Sequence, residues 1–211
     1  AYSDWNTVAN VQAAVLDAVR QRPGIRAAGA SNFVPFEVGW RHPYTIEGAT
    51  PGAAGEQIQA QMHTVSDGYF EAIGAPPLAG RFFTAQDTAT STPVVIVNET
   101  FARRFPGAIV GRYLVSTARA IGPLGWNLVN PIPPAPPPGT PPAPARPMRY
   151  EIVGVVADLR NVPVAQTVEP AFYFSARQFP FRAMFLTVLG PDLPTAVAAM
   201  QAGVRQAAPG I

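Results

Sequence analysis

The sequence predicts an α+β fold in two parts, one assembled from both chain ends and a mixed α/β part inserted between them. Three observations carry this. An amphipathic helix opens the chain and another closes it, each beside a short strand-like run. Between them a helix-start signal, a strand-helix unit and a second apolar strand follow in fixed order. No stretch reaches the ~18 consecutive apolar residues that a membrane span requires, so the apolar content belongs to a folded core.

At the front, Val8, Val11, Val15, Ala18 and Val19 fall at helical spacing. Ser3 or Asp4 can cap this helix, Arg20 and Arg22 complement its dipole in the last turn, and Pro23-Gly24 stops it. Residues 25–30 then read as a short strand. At the back, Asp192 is a candidate N-cap and Pro194 suits a first turn. Leu193, Val197, Met200 and Val204 share one face, and Pro209-Gly210-Ile211 closes the helix. The ends can be overlaid, Val19-Arg20-Gln21 on Val204-Arg205-Gln206, which leaves an internal duplication open. Residues 59–65 and 184–189, the latter a β-rich run, are placed to partner these ends.

The inserted part opens with a two-turn helix over 67–73, capped by Ser66 or Asp67 and ended by Gly74 and Pro76. Residues 74–81 read as a loop. A buried-type strand over 94–97 follows Pro93, Asn98 caps a helix through Phe105, and Pro106-Gly107 ends it. Residues 113–116, 150–156 and 172–174 read as strands. Eleven of the 25 prolines lie between Pro123 and Pro147. Prolines remove backbone donors and favour extended backbone, so 118–149 reads as a long hairpin insertion rather than a ligand for a proline-binding module.

Composition narrows the function. The 211 residues can bury roughly 70% of the unfolded surface. Charged residues are only 13%, against roughly 25% in ordinary soluble domains, and every one of the 15 basic residues is Arg. A net charge of +2 on scattered arginines does not suit nucleic acid. Without Cys there is no disulfide framework, thiol catalysis or Cys-based zinc site. No basic region followed by an apolar core marks a signal peptide. The chain starts without Met and a new segment opens at its end, so a piece of a longer protein is expected.

Chemistry-bearing residues are few. His42 and His63 fit no standard metal-ligand spacing with Asp67 or Glu47 and read as ordinary histidines. Arg81 with Asp87 or Asp158 reads as a structural ion pair within the inserted part. Asp158, after an apolar strand, could serve an α/β hydrolase, but no nucleophile or Gly-rich turn accompanies it, so catalysis and a cofactor are not expected. Phe33, Val34, Phe36 and Trp40 crowd a segment broken by Pro35 and Gly39. Phe33, Phe36 and Trp40 are therefore candidates for partner or substrate contact, against a loop folded back over the core. The aromatic cluster Phe172, Tyr173, Phe174, Phe179, Phe181 and Phe185 reads as core.

One ordered series of residues carries a resemblance. It comprises Val65-Ser66 with Tyr69-Phe70, Gly74 with Pro76 and Leu78, Gly80-Arg81-Phe82-Phe83-Thr84 and Asp87. It continues with Val95-Ile96-Val97-Asn98-Glu99, Ala102-Arg103, Phe105-Pro106-Gly107 and Gly111-Arg112, then Ile152-Val153-Gly154-Val155-Val156 with Asp158. In this series the chain resembles the MacB-like periplasmic core domain of ABC transporter permeases, those that share the FtsX-like membrane region. The likeness covers nearly the whole chain and is strongest over 65–107 and 150–160. Gly107 to Gly111 lacks the acidic residue and Pro usual there, and the proline-rich insertion is longer than typical.

The resemblance implies a porter-like βαβ-type lobe from residues 1–66 plus 180–211, with a mixed α/β lobe of residues 67–179 inserted. It implies an inner-membrane permease whose domain is periplasmic or extracytoplasmic, with flanking transmembrane helices outside this sequence. Its partners would be a second permease copy in a homodimer, a cytoplasmic ABC ATPase and, in some systems, a periplasmic adaptor. The function implied is non-enzymatic: coupling ATP hydrolysis to export or mechanical signalling. A stand-alone binding or scaffold module for a lipoprotein, peptide or cell-wall enzyme is the alternative.

Overall fold

A computed structural model describes residues 5–34, 40–49, 58–116, 148–159, 167–181 and 183–208. In chain order the elements are α1 (Trp5–Arg20), β1 (Ala27–Ser31), β2 (Trp40–Pro43), β3 (Thr45–Ile46), β4 (Gln59–Val65), α2 (Tyr69–Ala72) and β5 (Pro77–Gly80). There follow β6 (Val94–Asn98), α3 (Glu99–Ala102), β7 (Tyr113–Ser116), β8 (Met148–Val156), β9 (Ala171–Ser175), β10 (Phe185–Leu189) and α4 (Leu193–Ala207). The fold is α+β, with few helices on a mixed sheet.

Among the described residues ten strands form that sheet in the order β10-β1-β4-β9-β6-β8-β7-β3, with β2 pairing β4 and β5 pairing β8 to the side. Most neighbours are antiparallel; β4 with β9 and β6 with β8 are parallel. Strand β6 is buried at all five positions because both its faces are covered. Val95 and Val97 join a core with Phe101, Phe105, Ile152 and Phe172 beneath α3, while Val94 and Ile96 join Phe70, Val153 and Tyr173 beneath α2. A continuous apolar run without alternation is the sequence signature of a strand buried on both faces.

The two chain ends meet. β1 pairs β10 antiparallel along its whole length, Ala27 opposite Leu189 through Ser31 opposite Phe185. Helix α1 buries Val8, Val15, Leu16 and Val19, each contributing roughly 1.5–3 kcal/mol, and packs beside α4 over Ala28 of β1. The buried face of α4 is Ala196, Ala199 and Gly203, which corrects the expected one. Leu193 is 75% and Val197 37% exposed, and Val204 only joins the margin of the core. Small residues face inward because the two helices approach closely, and larger side chains would hold them apart.

Other expectations change locally. The helix after Ser66 is one turn, Tyr69–Ala72, and its N-cap is Gly68 at φ 77° with no side-chain cap. The helix after Asn98 ends at Ala102, although Asn98 caps it as expected, its Oδ1 accepting from the Phe101 amide. Strands β2, β3 and β5 occupy stretches that carry little strand signal. Part of β2 falls in the segment read as a loop, and β5 lies within the 74–81 loop. Of the proline-rich insertion, residues 118–147 lie outside the described residues, and Met148 and Arg149 open β8.

Candidate functional site

Bonds between distant parts of the chain gather at the junction of β1, β4 and α2. Only one ladder pair, Ser31 with Val65, continues the sheet from β1 into β4. Around it the backbone is tied by exchanged bonds. The Ser66 amide donates to the Ala30 carbonyl (2.8 Å), the Ala30 amide donates to Ser66 Oγ (2.9 Å), and the Asn32 amide donates to the Thr64 carbonyl (3.1 Å). A Cβ built on Gly29 would lie 2.3 Å from Tyr69 Cα, so at this point only glycine lets β1 touch the start of α2.

Asp67 sits at the centre of this junction and receives two arginines. Arg20, from the end of α1, donates Nη1 to Asp67 Oδ2 (3.4 Å), Nη2 to the Asp67 carbonyl (2.6 Å) and Nε to the Ala28 carbonyl (3.1 Å). Arg177, after β9, donates Nε to Asp67 Oδ1 (3.2 Å) and Nη2 to Asp67 Oδ2 (3.3 Å). Side-chain exposures of 27%, 20% and 29% for Arg20, Asp67 and Arg177 put the cluster below the fully solvated surface. Coulomb attraction is screened less there than between exposed ions. Gln12 on α1 adds a bond from its Nε2 to the Phe181 carbonyl. Sequence reading assigned Asp67 to a helix cap and Arg20 to the helix dipole. Their separations along the chain, 47 residues for Arg20 and 110 for Arg177, leave no local pattern to find.

Of the residues singled out from sequence, Phe33 borders this junction, while Arg81, Asp87 and Asp158 lie elsewhere. Phe33 is 4% exposed, with its ring 4.0 Å from His63 and 6.2 Å from Tyr69, so it is a core residue and not a surface contact. It turns inward because the buried face of β4 offers it an aromatic neighbour. Phe36 lies outside the described residues, and Trp40 is described only as the first residue of β2. Arg81 clasps Asp87 with two bonds of 2.8 Å. Burial works to raise the Asp87 carboxyl, but bonds from Arg81 and the Thr84 amide outweigh it and hold the group below its ordinary value. Asp158 does not meet Arg81. It accepts from the Thr100 amide (2.9 Å) and hydroxyl (2.7 Å) and from Arg103 (2.9 Å), bracing the start of α3.

His63 is buried between Phe33 and Tyr173, and desolvation pushes its imidazole down to about 3, so it stays neutral. Of the aromatic cluster, Phe172, Tyr173, Phe174, Phe179 and Phe181 are buried, and Phe185 is 39% exposed. Among the described residues no group of three His, Cys, Asp or Glu could hold a metal, and no helix is long and apolar enough to cross a membrane.

The fold has solved counterparts. The extracellular domain of the noncanonic ABC-type transporter YknZ from Gram-positive bacteria matches with a TM-score of 0.50 at 10% identity, over 91% of this chain and 79% of that one. The periplasmic region of MacB from Actinobacillus actinomycetemcomitans matches with a TM-score of 0.52 at 12% identity, over 92% and 71%. At such identities the likeness is one of fold. No curated protein matches the sequence. The model of the MacB-like periplasmic core domain matches residues 3–207, nearly the whole chain, and the protein therefore belongs to the MacB-like periplasmic core domain family.

Proposed function

We propose that this domain is the extracytoplasmic part of an ABC transporter permease and that it carries motion rather than performing catalysis. In this reading a cytoplasmic ATPase moves membrane helices that flank the domain. The terminal unit of α1, β1, β10 and α4 acts as a porter-like lobe and carries the remaining strands. Two copies face each other in a homodimer, and their relative movement does work on a substrate or partner outside the membrane, with or without a periplasmic adaptor.

The observation that carries the reading is the meeting of α1 with α4 and of β1 with β10 in one packed unit. A displacement applied to either helix is delivered to the same body, and close-packed interiors transmit strain instead of absorbing it. Family membership supplies the setting. The test uses the full-length permease in lipid vesicles with one spin label per subunit, at position 201 on the exposed side of α4. Distances between the two labels should shift between nucleotide-free and hydrolysing conditions. A distribution that ignores nucleotide would remove the proposal.

A further inference from the structure

The junction around Asp67 has features that a simple continuation of a sheet would not need. One ladder pair joins β1 to β4, yet two arginines from different parts of the chain converge on one carboxylate beside it. Arg20 belongs to α1, in the unit made from the chain ends; Arg177 follows β9, in the middle of the sheet. Each also holds its own surroundings: Arg20 bonds the Ala28 carbonyl of β1, and the Arg177 amide bonds Ser175 Oγ (3.3 Å). Among the described residues, the bonds that Arg20 and Arg177 make to the rest of the chain meet at Asp67. Asp67 is the shared element, and its neighbour Ser66 exchanges bonds with Ala30 across the same seam.

A small cavity lies between α1 and the chain after β9, lined by Gln12, Leu16, Ser66, Asp67, Arg177 and Phe181. Apolar contact across the seam comes from Phe33, which follows β1 and packs on His63 and Tyr69; the polar contacts at Asp67 add a directional constraint to it. The angle of the seam is set by that packing, by the backbone contact of Gly29 with Tyr69 and by the polar contacts that converge on Asp67.

We propose that Asp67 is a pin: by holding Arg20 and Arg177 together it fixes the terminal α1–β1–β10–α4 unit to the central sheet, so that the domain turns as one body. Asp67 is here a positioning residue. Its use during a transport stroke rests on the function proposed above; the pinning does not, and it can be measured with neither membrane nor ATPase present.

The experiment uses the 211-residue chain, which has no Cys to interfere with labelling. Spin labels at Gln86→Cys and Gln201→Cys, both exposed, report the angle between the central sheet and α4. Amide hydrogen exchange at Ala30, Asn32 and Ser66 reports opening of the seam, and Ile96 and Val97 report the core. In Asp67→Asn the label distance should broaden and the three seam amides exchange about tenfold faster while the β6 amides keep their protection. Arg177→Gln, which leaves Arg20 bonded to the Asp67 carbonyl, should give the same pattern at smaller amplitude and decides the matter if Asp67→Asn does not fold. A sharp, unchanged distance with seam exchange as in the parent would overturn the pin. So would uniform acceleration that includes β6, because that is loss of global stability and not release of one joint.

Discussion

A Cβ built on Gly203 would lie 2.4 Å from Val19 Cγ2 and 3.1 Å from the Val19 backbone nitrogen. Helices α1 and α4 therefore touch here with only the Val19 side chain between them, although 184 residues of chain separate the two positions. Val19 is fully buried, and its β-branched side chain has one favoured rotamer in a helix, so it cannot swing aside.

Substitutions at Gly203 follow directly. Alanine gains about 1 kcal/mol of helix propensity, but the overlap with Val19 costs about 1–3 kcal/mol, so Gly203→Ala should be neutral to destabilising and Gly203→Val worse. Denaturant midpoints at constant m-value measure this. A more stable Gly203→Val would mean that the helices do not meet here.

Asn98 makes three bonds from one buried side chain: its Oδ1 accepts from the Phe101 and Ala171 amides, and its Nδ2 donates to the Glu169 carbonyl. Asn98→Ala strands these groups inside the protein and should cost about 3 kcal/mol. Asn98→Asp keeps the acceptor and loses the donor. Equilibrium unfolding of both variants separates the cap from the cross-sheet bond.

His63 and Asp87 predict two separate acid windows. Burial drives the folded pKa of His63 down to about 3, against 6.5 when unfolded. Between these values the unfolded chain holds the extra proton, so stability falls as pH drops below 6.5, by about 1.4 kcal/mol per unit at full slope. Asp87 also has a lowered folded pKa, below the ordinary 3.8, and its contribution is present above that value and lost as pH falls through the folded pKa. Unfolding free energies from pH 7 to 3 should show the first slope flattened in His63→Phe and only the lower one changed in Asp87→Asn. Identical curves for parent and His63→Phe would contradict a buried neutral imidazole.

Much of this architecture was legible because it is written locally. Val8, Val15 and Val19 repeat at helical spacing, residues 94–97 form an unbroken apolar run, and Asn98 stands where a cap belongs. The face of α4 was misread because large apolar residues mark an inward face only when the neighbour is distant. Against α1 the inward positions must be small, and Leu193 and Val197 were left outside. Strands β2 and β5 carry Pro43 and Pro77, which weaken the strand signal, and β3 is two residues long. The Asp67 junction was illegible for a different reason: its charges come from three separate stretches of chain, and only the fold brings them together.

The two chain ends share one body, α1 packing on α4 and β1 pairing β10, and paramagnetic broadening tests this directly. A single spin label at Gln201→Cys should broaden the amide signals of Val15, Val19 and Ala28 strongly and leave those of Tyr113, Leu114 and Val115 in β7 sharp. Sharp signals throughout α1 and β1 would place the two ends on separate bodies and contradict the account.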